Sequence, residues 1–445
     1  MVPHSPFAYD SLEDLEQAAA RLDLHLPLQE DLSPLFEPVQ IGEKKLSNRL
    51  AVHPMEGADA TKEGAPTEST SRRYSRFAQG GSSLIWFEAT AVIPEGRANP
   101  RQLWLSADKL DSFRTLIDST RKAARRGCGE AHEVLCVLQL THSGRYSKPR
   151  GVPRPQAGIY NPHLDLSAAE VHVLRDDELD SLQDAYVQAA GLAQQAGFDG
   201  VDIKCCHGYL LNDLLSGYAR EHSRYGGSFA NRTRFLSEVY ARISAELPGF
   251  LLSSRLSAYD GLPFPYGFGF SKENPLDIDL TEIRALTRRL AHLGGALFNY
   301  TAGNPYLKPH LGRPYDSALT GSRPPDEHPL VGVKRLLSLT AGLQLSFPDL
   351  PMVGTGYSWL RHFFPYAAAA VLERREATLI GLGRSALAYP EAPKELMERG
   401  RLNPKKVCVT CSKCSQLLRN GARTGCVVRD ADIYAREYAG LSGKN

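Results

Sequence analysis

From residue 48 onward short apolar runs recur along the chain, at residues 49–52, 83–87, 134–140, 201–203, 250–256, 296–300, 351–353 and 377–380. Most intervals between them carry apolar positions at helical spacing, as in residues 176–195 and 231–245. Short uninterrupted apolar runs read as strands buried on both faces, and the longer amphipathic stretches as the helices that cover them. Glycines stand where several helical stretches must stop, at Gly80 and Gly81, Gly127, Gly197, and Gly294 and Gly295, as a left-handed C-cap before a new strand requires. Eight such units with no ninth predict an α/β fold of the closed (β/α)8 barrel type rather than an open doubly wound sheet. No Gly-x-Gly-x-x-Gly follows any run, so the fingerprint of a dinucleotide-binding sheet is missing.

Ahead of the first run, residues 1–34 form an extension. Ser11 is placed to cap a short helix with Leu12, Leu15 and Leu22 on one face, and Pro27 and Pro34 keep it from continuing. It carries no chemistry and reads as an arm packed on the main domain. Residues 35–395 make the barrel domain, and residues 396–445 a cysteine-rich C-terminal segment. With 445 residues, 42% of them hydrophobic, the chain can bury one large core besides these appendages. The net charge of +2 comes from mixed charges with no basic block, which argues against nucleic acid as a partner. The first residues lack the basic and apolar regions of a secretory signal, and no stretch is long and apolar enough for a membrane span. The expected location is therefore the cytoplasm, away from membranes.

Active sites of such barrels are built at the carboxyl ends of the strands, and there the reactive side chains collect. The fourth run empties into Lys204, His207 and Tyr209, a cation, an imidazole and a phenol within six residues. Each would cost free energy if buried without a partner. Other strand ends offer Pro54, Met55 and Glu56, then Glu88, Gln139 and Arg255, and the two carboxylates are grouped with the cofactor-binding residues. After the last two runs come Gly354 and Gly356, then Gly383 and Arg384. Glycine amides in these loops are the usual phosphate site of a barrel, and Arg384 adds a charge-assisted bond. A phosphorylated ligand is expected.

The set Asn48-Arg49, Pro54-Met55, Gln139-Leu140 with His142-Ser143-Gly144-Arg145, His207-Gly208-Tyr209-Leu210, Tyr225-Gly226-Gly227-Ser228, Asn231-Arg232, Arg255-Leu256-Ser257 and Gly383-Arg384 resembles the Old Yellow Enzyme family of NADH:flavin oxidoreductases over about residues 35–395. The resemblance implies a barrel holding non-covalent FMN. Pro54 and Met55 would flank its isoalloxazine, Gln139 would bond the pyrimidine edge, and Arg255 would bear on the N1/O2 side. Gly354, Gly356, Gly383 and Arg384 would hold the phosphate. His207 falls where the family hydrogen-bonds an oxygen of the substrate, and Tyr209 where related reductases keep a proton donor. The physical chemistry agrees, because a cation beside N1/O2 stabilises the anionic reduced ring. A phenol of pKa about 10 also keeps its proton at neutral pH.

Two positions depart from the family pattern. Lys204 stands where the family usually has histidine, which replaces a planar neutral donor with a flexible point charge and favours anionic or strongly polarised acceptors. Glu56 stands where relatives carry a small or hydroxyl residue; a carboxylate there disfavours reduced flavin unless Lys204 or Arg255 compensates it. Glu56 and Lys204 forming an internal ion pair is the competing reading.

Cys408, Cys411, Cys414 and Cys426 place three thiols on one tight loop and return a fourth after a short helical excursion. That spacing favours the corners of a 4Fe-4S cluster over zinc, whose four-cysteine sites more often show two separated Cys-x2-Cys pairs. It also resembles the subfamily containing 2,4-dienoyl-CoA reductase and trimethylamine dehydrogenase. Cys128, Cys136, Cys205 and Cys206 have no such spacing and read as ordinary thiols. In that subfamily a flavin- and nicotinamide-binding region follows the cluster, whereas 19 residues follow Cys426 here. The expectation is a separate electron-transfer protein or reductase as partner, or direct reduction of FMN by NAD(P)H.

Together these features imply an enzyme that reduces an activated C=C bond of a small molecule, with hydride from FMN and a proton from Tyr209. A second reading is an amine or ether dehydrogenase or demethylase, for which Trp86, Trp104, Tyr300 and Tyr306 would form an aromatic cage. A third, an electron-transfer or RNA-modifying flavoprotein, is weakened by the lack of a basic stripe.

Overall fold

A computed structural model describes residues 3–274 and 277–441; the last four residues of the C-terminal segment lie outside the described residues. Eight parallel strands close into a barrel: Leu50–Val52, Leu84–Ala91, Leu135–Thr141, Gly200–Ile203, Leu251–Tyr259, Gly295–Ala302, Met352–Gly354 and Leu379–Leu382. Each falls on one of the eight apolar runs. The strands are buried along nearly their whole length, because one face fills the barrel and the other meets the helices. The fifth strand runs three residues beyond the apolar run, through Ser257, Ala258 and Tyr259, carried by its ladder with the sixth.

An antiparallel hairpin, Val39–Ile41 with Lys44–Leu46, shuts the amino-terminal end. Its Ile41 and Leu46 pack with Ala51, Trp86 and Val137 in a cluster separate from the main core. The hairpin thus covers the end of the barrel opposite the carboxyl ends of the strands. Helices follow the strands as the periodicity predicts, including Asp176–Ala196, which Gly197 ends in the left-handed conformation (φ 97°). The stretch at 231–245 divides into Phe229–Arg232 and Arg234–Glu246 at Thr233. No helix among the described residues is long and apolar enough to cross a membrane.

The N-terminal arm forms the helix Leu12–Arg21, opened by a reciprocal cap. Asp14 N–H donates to Ser11 Oγ (3.1 Å) and Ser11 N–H to Asp14 Oδ2 (3.0 Å). Leu15 is fully buried in the main core, and Phe7 sets its ring edge-on to Trp359 at 5.3 Å. The C-terminal segment folds over the open end of the barrel with helices Lys413–Arg419 and Ala431–Ala439. Thr424 N–H donates to Gly57 O (2.7 Å), and Asp430 accepts from Arg72 (2.8 and 2.9 Å) and Arg76 (2.6 Å) on the helix Glu68–Gln79.

Candidate active site

The loops at the carboxyl ends enclose one cavity to which seven of the eight strand ends and the C-terminal segment contribute. Its middle is formed by Pro54 and Met55, by Gln139 and by Arg255. The Gln139 amide donates to Asp202 Oδ2 (2.5 Å), which also accepts from Trp86 Nε1 (2.9 Å), while Asp202 Oδ1 accepts the Arg255 N–H (2.7 Å). Asp202 thus orients the glutamine from beneath. Burial pushes its carboxyl up to about 6, against the bond from Gln139. Arg255 is buried and has no carboxylate within ion-pair reach among the described residues, and its Nε lacks a partner. Burial lowers its pKa, but a guanidinium stays charged at neutral pH.

At one end of the cavity lie Gly356, Gly381, Gly383 and Arg384. A side chain at Gly381 would meet His53 Nε2 at 2.1 Å, and Gly356 has φ 113°, so bare backbone is required at both. Arg384 is buried, donates to Pro314 O (2.6 Å) through Nη2, and leaves Nη1 unpaired. Gly354 lies one step back, where an added Cβ would meet the Tyr357 hydroxyl at 2.6 Å, and it does not line the cavity.

The opposite end holds Lys204, His207 and Tyr209 with Glu56. Tyr209 donates its hydroxyl to Glu56 Oε1 (3.2 Å), and Lys204 Nζ lies 3.5 Å from the same oxygen and 3.6 Å from the tyrosine ring centroid. The Glu56–Lys204 ion pair is therefore present, and both side chains are nearly buried. His207 sits at φ 67° with Nε2 3.3 Å from Thr301 Oγ1. Burial, then Arg255 and Lys204, hold its pKa well below the ordinary histidine value, so the imidazole is neutral. Burial, then Glu56, raise the Tyr209 phenol well above its ordinary value, so it keeps its proton.

Glu88 stands apart from the other expected cofactor residues. It lies behind the loop after the first strand, where it accepts from Gly57 N–H (2.8 Å), Arg73 (2.7 Å) and Tyr74 (3.2 Å). Arg73 also binds both oxygens of Asp59 (2.9 and 3.0 Å) and reaches Met55 O (3.3 Å). This fully buried network holds the loop that carries Pro54 to Glu56. The aromatic cage does not assemble either. Trp86 points into the barrel floor, Trp104 lies under Lys109 (3.9 Å), and Tyr300 bonds Thr287 (2.8 Å) on the outer side. Only Tyr306 of the four lines the cavity, stacked on Tyr146 at 3.7 Å.

Several lining residues escaped the sequence reading. His53 precedes Pro54, its Nε2 3.2 Å from Thr355 Oγ1, and burial keeps it neutral. Arg313, beside Arg384, donates to Ser415 Oγ (2.6 Å), and burial with the neighbouring Arg384 lowers its pKa to about 10. Leu418 and Arg419 come from the cysteine-rich segment itself. For Asp202 a signal existed, because it is a carboxylate inside an apolar strand. For Arg313 and Arg419 there was none.

The cysteines sit beside this cavity. Cys408 Sγ accepts Thr410 N–H (3.4 Å) and Cys426 Sγ accepts Arg429 N–H (3.3 Å). Burial pushes Cys408 up to about 12, with Arg384 opposing and Cys414 and Cys426 adding to the rise, so these thiols lie within electrostatic reach of one another. Among the described residues no group of three or more His, Cys, Asp or Glu could hold a metal ion.

The pattern of the NADH:flavin oxidoreductase / NADH oxidase family matches residues 34–265. The chain belongs to that family. NADPH dehydrogenase of Bacillus subtilis (strain 168) is 31% identical over 246 residues, 54% of this chain and 69% of that protein. NADH oxidase of Thermoanaerobacter brockii is 25% identical over 384 residues, 85% of this chain but 52% of that protein. The chain spans between 52% and 69% of the lengths of such relatives, and 62% of a putative 12-oxophytodienoate reductase 2 of Oryza sativa subsp. japonica. The structure of 2-naphthoyl-CoA reductase with 2-naphthoyl-CoA superposes with a TM-score of 0.71 over 92% of this chain and 58% of that one, at 20% identity, a likeness of fold alone. The cavity fits the FMN expected of that family. Unpaired buried cations at its middle and one end, with bare glycine backbone between His53 and Leu336, leave room and charge for an anionic, phosphorylated ring system.

Proposed function

We propose that this chain is an FMN-dependent reductase of activated C=C bonds, with Tyr209 as proton donor and His207 as the hydrogen-bond partner of the activating oxygen. The observation that carries this reading is the single cavity lined by Arg313 and Arg384 at one end and by His207 and Tyr209 at the other. In this reading bound FMN supplies the hydride. The remaining tasks fall to the chain's own residues. Arg255 offsets negative charge at the flavin's pyrimidine side, and Gln139, fixed by Asp202, hydrogen-bonds that edge. Neutral His207 polarises the substrate oxygen. Tyr209 gives its proton to the carbon opposite the one that takes hydride, and Lys204 offsets the phenolate charge left behind. Oxidation of an amine is the weaker alternative, because the cationic lining repels an ammonium substrate and the expected cage is not assembled.

The cysteine-rich segment, in the same proposal, binds a 4Fe-4S cluster through Cys408, Cys411, Cys414 and Cys426 and exchanges electrons with a separate protein, NAD(P)H being the alternative reductant at the cavity mouth. The backbone N–H bonds to Cys408 and Cys426 support it, since such bonds stabilise ligating thiolates. Anaerobic purification followed by reduction with NAD(P)H and reoxidation with an enone tests both parts. One FMN per chain and enone-dependent reoxidation are expected; release of FAD or of no flavin sinks the first part. Cys414→Ser is expected to abolish the broad visible absorbance of the cluster, and one zinc without iron in the wild type sinks the second.

A further inference from the structure

Five cations line the cavity, Lys204, Arg255, Arg313, Arg384 and Arg419, against a single carboxylate, Glu56. Lys204 is taken up by Glu56 at 3.5 Å. FMN brings about two negative charges on its phosphate at neutral pH, and one more on its ring when reduced. Arg313 and Arg384 at one end and Arg255 at the middle match those charges. One cation is left over.

That cation is Arg419, the exposed last residue of the helix Lys413–Arg419, which stands at the rim of the cavity within electrostatic reach of Arg313. Its Nη2 donates to Pro305 O, and its guanidinium lies 4.2 Å from the Tyr306 ring centroid, with no carboxylate in ion-pair reach among the described residues. Tyr306 in turn brings its hydroxyl within 3.4 Å of the Tyr209 hydroxyl. An anion held by Arg419 would therefore lie about one aromatic ring away from the proton donor. Between them the wall is apolar and flat: Ala302, Pro305 and Leu418 line it, and Tyr306 is stacked on Tyr146 with 16° between the rings.

We propose that the substrate is a planar unsaturated acid whose carboxylate is recognised by Arg419, so that the cysteine-rich segment sets substrate specificity. The inference rests on the flavin reading above and deepens it. Lys204, held between Glu56 and the Tyr209 ring, is turned to the phenol and not to the substrate anion. Arginine suits the task, because its planar fork can stack on Tyr306 and still present two donors to a carboxylate.

The test titrates FMN-loaded protein with 4-hydroxybenzoate and 4-hydroxybenzyl alcohol, followed by the flavin absorbance. The two carry phenols of similar acidity and differ in the charge of the para group. Tighter binding of 4-hydroxybenzoate is expected, and Arg419→Gln should shrink the ratio of the two affinities by about tenfold, the scale of a hydrogen bond to a charged group. Arg419→Lys should retain part of the ratio. Comparing ligands within one protein cancels any change in flavin loading. With 3-oxocyclohexene carboxylate as acceptor, Arg419→Gln should raise KM more than it lowers kcat. A ratio unmoved by Arg419→Gln overturns the assignment of Arg419, and a wild type that prefers the alcohol overturns the carboxylate. Protein that holds FMN but binds neither phenol overturns this inference together with the reductase reading, whereas enone reduction without a carboxylate preference overturns this inference alone.

Discussion

Behind the loop after the first strand, Arg73 is clasped by Asp59 and Glu88, and behind the loop after the third, Arg145 is clasped by Asp165 and Asp213. In front of these loops, Arg255, Arg313 and Arg384 face the cavity with no carboxylate partner among the described residues. All five are arginines largely withdrawn from water, yet the two groups do opposite things. A buried charge with its counter-ion in place holds backbone, as Arg73 does through Met55 O and, by way of Glu88, through Gly57 N–H. A buried charge without one raises the free energy of the empty protein and lowers it again when an anion arrives. The paired arginines are scaffold, and the unpaired ones are half of an interaction whose other half is the ligand.

The largest effect is expected where the two kinds of charge meet, at Tyr209 with Glu56 and Lys204. Tyr209→Phe should slow substrate reduction by roughly 10² to 10⁴-fold, the usual loss for a general acid, while flavin reduction stays near normal in the separated half-reactions. Equal slowing of both would make Tyr209 part of the flavin support instead.

Glu88→Gln tests the scaffold group directly. Arg73 keeps Asp59 but loses part of its counter-charge in a site closed to water, where burial already raises the Glu88 carboxyl to about 7, so unfolding of the flavin-free protein should become easier by about 1–3 kcal/mol in a denaturant titration. Stability unchanged within error would return Glu88 to the cofactor-binding set. Arg255→Met tests the other group, with the opposite sign for stability. The flavin-free variant should be no less stable than flavin-free wild type, while FMN affinity falls by roughly 10 to 100-fold in a fluorescence titration. If the flavin-free protein lost stability as well, Arg255 would be structural and the contrast would collapse.

The smallest effect is expected from Glu56→Gln and Lys204→Met, singly and combined. Because each side chain neutralises the other, the two changes should couple by about 0.5–3 kcal/mol in a double-mutant cycle read through phenol affinity. Additive effects would mean that Lys204 acts on the ligand independently of Glu56.

The barrel was legible from sequence because its signals are local. An apolar run, a helical period and a glycine where a helix must stop need only neighbours in the chain, and all eight strands lie where those signals are. The family's motifs likewise pointed to Pro54, Met55, Gln139, His207, Tyr209, Arg255 and Arg384, which converge on one cavity. Direction and partnership were decided by the tertiary structure. Glu88 belongs to a strand end like Gln139, but the second strand turns it toward Arg73 and Tyr74 on the helix Glu68–Gln79, behind the cavity loop. Trp86 and Tyr300 sit on strands where alternation decides which ring points inward, and neither reaches the cavity. Whether Lys204 carries a free charge depends on Glu56, about 150 residues earlier in the chain and opposite it only once the barrel closes. Arg419 shows the limit most clearly, since its place at the cavity mouth depends on Asp430 docking to Arg72 and Arg76 and on Thr424 reaching Gly57. Contacts between such distant parts of the chain leave no periodicity to read, because nothing in the local spacing of residues 413–419 depends on what they will cover.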